Sequence, residues 1–281
     1  MSCDGERQLP GKLDNMSTRE AALFWLQWQA AMGADEAIAA DPLNRLAPPK
    51  PASQPAPRQA VSARLAPVAA PPAPDGAPSP QDCHTLEELR AALDSLHHFP
   101  LRRMARHTVL TDGNPASRIL LVGEAPGREE DLQGKPFVGR AGQLLDKMLE
   151  AIGLSRHAEE PARSVLITNV LFWRPPGNRK PTEAELGFCA PWFARLLALV
   201  QPRVIVTLGG TPTQRLGGTA QGIMRLRGKW MQCTHEGLDA PVPLLPMLHP
   251  AYLLRTPVHK RLAWRDLLAL RKFLDEMEEA G

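Results

Sequence analysis

Cysteine is scarce in this chain: four residues, Cys3, Cys83, Cys189 and Cys233, stand far apart in 281. No CxxC pair occurs, so the sequence suggests neither a zinc ribbon nor a disulfide framework. Scattered thiols fit a reducing compartment. The N-terminus lacks the basic-then-apolar pattern of a leader, and no apolar run approaches the ~20 residues that a membrane helix needs. Neither sign of charge dominates, with 33 Lys and Arg against 30 Asp and Glu for a net charge of +3. Charge alone therefore neither demands nor excludes a nucleic-acid partner. These absences lead to the expectation of a soluble, cytoplasmic, monomeric protein with no membrane contact.

Proline is plentiful, 29 residues in all, and much of it falls between about Ala47 and Gln81 among Ala, Ser and Gln. That stretch holds too little apolar bulk to offset the entropy of ordering it, and reads as a linker. It divides the chain into an N-terminal segment (1–46), the linker (47–82) and a main domain (83–281). In the N-terminal segment Ser17 and Glu20 have capping-box spacing ahead of a helix over Ala21–Met32. Leu23, Phe24, Trp25, Leu26 and Trp28 make that helix apolar nearly all round, so it must pack on its own domain or on a partner.

In the main domain four short apolar runs alternate with helical patterns: Arg118–Val122, Val165–Val170, Arg203–Leu208 and Val242–Met247. Runs rich in Val, Ile and Leu suit parallel strands buried on both faces. Helices are expected over Thr85–Leu96 (capping box Thr85 and Glu88), Gln143–Ile152, Glu183–Val200 (capping box Thr182 and Glu185, with a kink or restart at Pro191), from Thr211, and over His259–Glu279. The pattern predicts an α/β/α sandwich, three layers around a four-stranded parallel sheet.

Each run ends in residues that a scaffold does not require. The first opens into Gly123-Glu124-Ala125-Pro126-Gly127, the second ends at Asn169, the third at Gly209-Gly210-Thr211, the fourth at His249-Pro250. Parallel strands bring such ends to one rim, where open α/β folds bind ligands. An acid, an amide and an imidazole meeting beside glycine-lined backbone look like a site. An amide offers donor and acceptor side by side, as a base edge demands. Phe137 supplies a flat face, and loops rich in Gly and Arg suit phosphates. Together they suggest a pocket for a base on a nucleic-acid backbone. Glu124 admits two roles, direct catalysis or holding its loop.

The segments GEAPGREED, GKPFVGRAGQLL, TNVLFWRPPGNRKPTEAE and HPAYLLR resemble, in order, the uracil-DNA glycosylase superfamily, most closely its thermophile-type family-four enzymes. The resemblance runs from about Leu96 to Phe273. It implies an enzyme that flips uracil from DNA and hydrolyses its N-glycosidic bond. It implies that Phe137 stacks on uracil, Asn169 pairs with its edge, and His249 donates to O2. By the same resemblance Glu124 positions water or steadies the sugar cation, Ala125 joins the uracil-contacting set, and Glu130 stands against C5. Arg140, Arg174, Gly177 and Arg179 fall in DNA-contacting loops, and Leu253 and Arg255 in the loop that enters the minor groove. These motifs place no lysine as a Schiff-base nucleophile, so a monofunctional enzyme is expected, and the partner of the N-terminal helix is expected to be a repair or replication protein.

The sequence departs from the family-four pattern where those enzymes hold a four-iron–four-sulfur cluster on four cysteines. The matching positions are Leu96, Phe99, Trp173 and Cys189, so no metal or other cofactor is expected. A sister group traps DNA covalently through a histidine in a KRRIH insertion; the loop Gly177-Asn178-Arg179-Lys180-Pro181 has none. The alternative to an enzyme is a non-catalytic or product-retaining module that binds uracil or abasic DNA.

Overall fold

The computed structural model describes residues 78–279. The expected helix over Ala21–Met32 and nearly all of the 47–82 linker lie outside the described residues. Six strands form one sheet: β1 (Thr111–Gly113), β2 (Ile119–Gly123), β3 (Leu166–Asn169), β4 (Val204–Leu208), β5 (Met231–Cys233) and β6 (Val242–Met247), in the order β1-β3-β2-β4-β6-β5. The helices are α1 (Leu86–Ser95), α2 (Pro100–Met104), α3 (Arg128–Gln133), α4 (Arg140–Glu150), α5 (Glu183–Val200), α6 (Gly210–Gly217), α7 (Ile223–Leu226), α8 (Pro250–Arg255) and α9 (Lys260–Glu279).

The expectation of a four-stranded parallel sheet needs correction. The four expected strands do pair in parallel as β3-β2-β4-β6. Two further strands, β1 and β5, pair antiparallel at the edges and make the sheet mixed. Thr-Asp-Gly and Met-Gln-Cys carry no apolar run. Their strand conformation comes from the ladder that a neighbour offers rather than from their own preference.

Side chains of the inner strands alternate between two cores, as the period of a strand requires. Leu120, Val122, Leu166, Ile205 and Leu244 face a cluster with Leu89 and Leu93 of α1 and Leu196 and Leu197 of α5. Ile119, Leu121, Ile167, Val204, Val206 and Leu245 face a second with Leu145 and Leu149 of α4 and Leu267 and Leu270 of α9. Helices therefore cover both faces of the sheet. Both main-domain capping boxes form, Thr85 with Glu88 and Thr182 with Glu185. Pro191 does not restart α5: one helix runs from Glu183 to Val200. Burial of Trp192, Phe193, Leu196 and Leu197 outweighs the one hydrogen bond that proline removes.

Leu96, Phe99, Trp173 and Cys189 meet in the first cluster. The Phe99 ring stacks on Phe188 at 3.9 Å and lies 5.3 Å from Trp173. Trp173 is fully buried and its Nε1–H donates to Thr108 Oγ1 at 3.0 Å; Thr108 in turn donates to Asp94 Oδ1 at 2.6 Å. Burial pushes the Cys189 thiol up to about 12, so it is a poor thiolate. One such thiol among packed hydrocarbon does not fit an iron–sulfur cluster. Among the described residues no group of three or more His, Cys, Asp or Glu stands placed to hold a metal ion.

The Trp173 side chain is expected to stabilise the fold much as any large buried aromatic does. Trp173→Ala should cost about 3–5 kcal/mol in urea unfolding. A loss below about 1 kcal/mol would show that this region is not a packed part of the core.

Candidate functional site

The carboxyl ends of β2, β3, β4 and β6 open on one cavity of about 490 Å³, lined among others by Glu124, Ala125, Glu130, Phe137, Asn169, Gly209, His249 and Arg255. The ring, the amide and the imidazole thus come together from three distant parts of the chain. Asn169 ends β3 opposite Gly123 of β2 and is 1% exposed. Its Oδ1 has no hydrogen-bond partner. A buried acceptor left unpaired costs about 1–3 kcal/mol. Gly123 is needed here because a Cβ would press on both Asn169 Oδ1 and the Phe137 ring.

Between β2 and α4 lies the short helix α3, closed by Gly134 in left-handed conformation at φ +71°. Phe137 follows at φ +53°, an unusual value for a residue with a side chain. Its ring lies 5.4 Å from that of His249 with an interplanar angle of 31°. The Glu130 carboxylate accepts from the backbone N–H of Gly127 at 3.1 Å, Val138 at 3.0 Å and Gly139 at 2.9 Å. Glu130 lines the cavity, and both of its oxygens are engaged in tying the first-motif turn to the Phe137 segment.

His249 is half-buried and caps α8, its Nδ1 accepting the N–H of Ala251 at 3.0 Å. An Nδ1 that accepts leaves the proton on Nε2, so the neutral ring is a donor of fixed orientation. Burial is the main force that pushes its pKa down to about 4; the Arg255 charge adds to it and Glu130 opposes it. Glu124 is half-buried, and its Oε2 accepts from Thr211 Oγ1 at 2.5 Å. Thr211 lies in α6, directly after the Gly209-Gly210 exit of β4.

Of the residues expected to meet DNA, Arg140 and Arg255 are exposed, at the start of α4 and the end of α8. Arg174 Nε donates to Asn178 Oδ1 at 2.8 Å. Arg179 is exposed but forms a fork with Glu185, at 2.9 and 2.5 Å, which holds that carboxyl below its usual range. Gly177 sits in an exposed turn at φ +63°. Leu253 is a correction: it is 0% exposed, packed with Leu248 and Ala263, and cannot enter a groove from there. Helix α8 starts at once after His249, so Pro250 and Leu253, three apart, turn to the core together. Val258, just beyond that helix, is an exposed apolar side chain, at 59%.

Thr211, marked in the sequence only as the end of the third run, and Arg156, which the sequence does not single out, belong to the site's support. A hydroxyl right after a glycine pair at a strand end was the available signal for Thr211. Arg156 had none, lying in a polar stretch beyond α4.

The sequence profile described as Uracil DNA glycosylase superfamily matches residues 110–268. The chain is 34% identical over 193 residues to the Type-4 uracil-DNA glycosylase of Sulfurisphaera tokodaii, covering 67% of this chain and 84% of that protein. It is 38% identical over 177 residues to the Type-4 uracil-DNA glycosylase of Archaeoglobus fulgidus, covering 62% and 85%. The Type-5 uracil-DNA glycosylase of Thermus thermophilus is 40% identical over 106 residues, 34% of this chain and 48% of that one. A profile spanning more than half of the chain and Type-4 relatives matched over most of their own length agree: this chain belongs to the uracil-DNA glycosylase superfamily.

Proposed function

We propose that the cavity receives one uracil flipped out of DNA and that the chain hydrolyses its N-glycosidic bond, leaving an abasic site. The observation that carries this reading is the unpaired, buried Asn169 Oδ1 beside the Phe137 ring. Uracil offers N3–H to that oxygen and O4 to the Asn169 amide N–H. Cytosine presents a bare acceptor at N3 and an amino group at C4, so it would face like with like. A site built to hydrogen-bond one pattern rejects its mismatch strongly.

The chemistry follows from the same groups. As the C1′–N1 bond lengthens, its electron pair moves into the uracil ring and positive charge grows on the sugar. The neutral His249 Nε2–H donates to O2, where negative charge develops; such a preorganised donor is worth about 3–4 kcal/mol. Glu124, aligned through Thr211, lends negative charge to the sugar face and orients water toward C1′. Water adds to C1′, and a proton restores N1 of the departing uracil. Arg140 and Arg255 supply exposed cations for phosphates. The reading includes a monofunctional, monomeric, cytoplasmic enzyme.

The primary test incubates the protein with uracil-containing oligonucleotides, followed by alkali. Cleavage at uracil is expected; tight binding without an abasic product would instead favour the product-retaining or non-catalytic module. Asn169→Ala should lower excision by roughly 100-fold or more while DNA affinity changes by less than about threefold. A rate within fivefold of the parent would remove Asn169 from base recognition.

His249 gives a pH test. The unfolded chain takes up this proton near pH 6.5 and the folded chain near pH 4. Its contribution to stability is therefore whole above pH 6.5 and is lost as pH falls toward 4, by up to about 3 kcal/mol. The acid limb of kcat/KM should accordingly lie near pH 4. A limb centred at 6.5, unchanged in His249→Gln, would show that this imidazole is not the donor.

A further inference from the structure

The ring on which the extruded base would stack stands on backbone that has to be forced. At φ +53° Phe137 occupies a region that L side chains leave when free to do so. Such a residue persists only where its surroundings over-determine it. One restraint acts on its C-terminal side, where Glu130 takes the N–H groups of Val138 and Gly139. Another is steric: a Cβ at position 142 would overlap the Phe137 carbonyl, so Gly142 leaves that carbonyl its place.

The third restraint is a buried cation. The Arg156 side chain is 3% exposed. Its Nη2 donates to Phe137 O at 2.9 Å and its Nη1 to Pro136 O at 2.9 Å. Nη1 also reaches Asp112 Oδ2 at 3.1 Å, and Nε reaches Asp146 Oδ1 at 2.8 Å. Asp112 belongs to edge strand β1 and Asp146 to α4. One guanidinium therefore joins the sheet edge, a helix and two successive carbonyls. Two carboxylates compensate the buried charge, and Lys135 stands 3.4 Å from Asp112. A planar fork of five donors can span this set; the point charge of a lysine cannot.

We propose that Arg156 is the positioning residue of the stacking ring: by gripping the carbonyls of Pro136 and Phe137 it holds Phe137 in its left-handed conformation and its ring against the base site. The inference rests on the reading of the cavity as the uracil pocket. Arg156 acts through Phe137 and meets neither base nor sugar.

A double-mutant cycle tests it on the full chain. Arg156→Lys keeps the charge and loses the fork. It should lower kcat on a single-stranded uracil oligonucleotide by at least about 30-fold with KM within about threefold, yet by less than about twofold when Phe137 is already alanine. Equal losses in the two backgrounds, a parental kcat in Arg156→Lys, or a parental kcat in Phe137→Ala would overturn the proposal. If Arg156→Lys does not fold, Asp112→Asn enters the same cycle, with a loss of at least about fivefold expected only where Phe137 is present. A parent protein that releases no uracil sinks the glycosylase reading. Amide exchange then decides the clamp: Val138 and Gly139 at least about tenfold faster in the variant support it, and unchanged rates overturn it.

Discussion

A short piece of backbone around Phe137, held where it would not rest by itself, is the constraint on which the pocket depends. Two side chains of opposite charge, Glu130 and Arg156, satisfy its N–H groups and its carbonyls from opposite sides. With that backbone fixed, the aromatic ring lies 5.4 Å from that of His249 and lines one cavity with His249 and Asn169. The arrangement stores the cost of ordering in the folded chain, so little remains to be organised when a ligand arrives. Glycines at 123 and 142 are the steric counterpart of this ordering, since each allows an approach that a methyl group would block.

The sheet supplies the rest of the geometry. Parallel pairing of β3, β2, β4 and β6 brings four strand exits to one rim, and each exit delivers a different chemical group. Asn169 arrives already desolvated because β3 is buried along its whole length. His249 arrives as a helix cap, and the bond that caps α8 also fixes which ring nitrogen carries the proton. Glu124 arrives beside α6, whose Thr211 hydroxyl takes up one lobe of the carboxylate. Support and chemistry are therefore carried by the same hydrogen bonds.

Much of this was legible in the sequence. Apolar runs of Val, Ile and Leu announce strands buried on both faces. Thr-x-x-Glu announces a helix start, and residues directly after a buried strand can only lie at its rim. The remainder is determined by tertiary context. Strands β1 and β5 are three residues each and owe their pairing to neighbours. Leu253 looked like a groove wedge in HPAYLLR because a linear motif does not say which side of a one-and-a-half-turn helix meets the core. Arg156 could not be found at all, since its partners Asp112, Pro136, Phe137 and Asp146 are brought together only by the fold. The resemblance sets Glu130 against the base, and its engagement with three backbone amides emerges only in three dimensions.

The packing around Trp173 bears on how the protein endures its surroundings. The contact joining α1, the exit of β3 and α5 is made of aromatic and aliphatic carbon with one deeply shielded sulfur. Hydrocarbon of this kind offers nothing for a chelator to extract or for a mild oxidant to dismantle. The cohesion of that contact thus rests on packed carbon and answers to temperature and solvent.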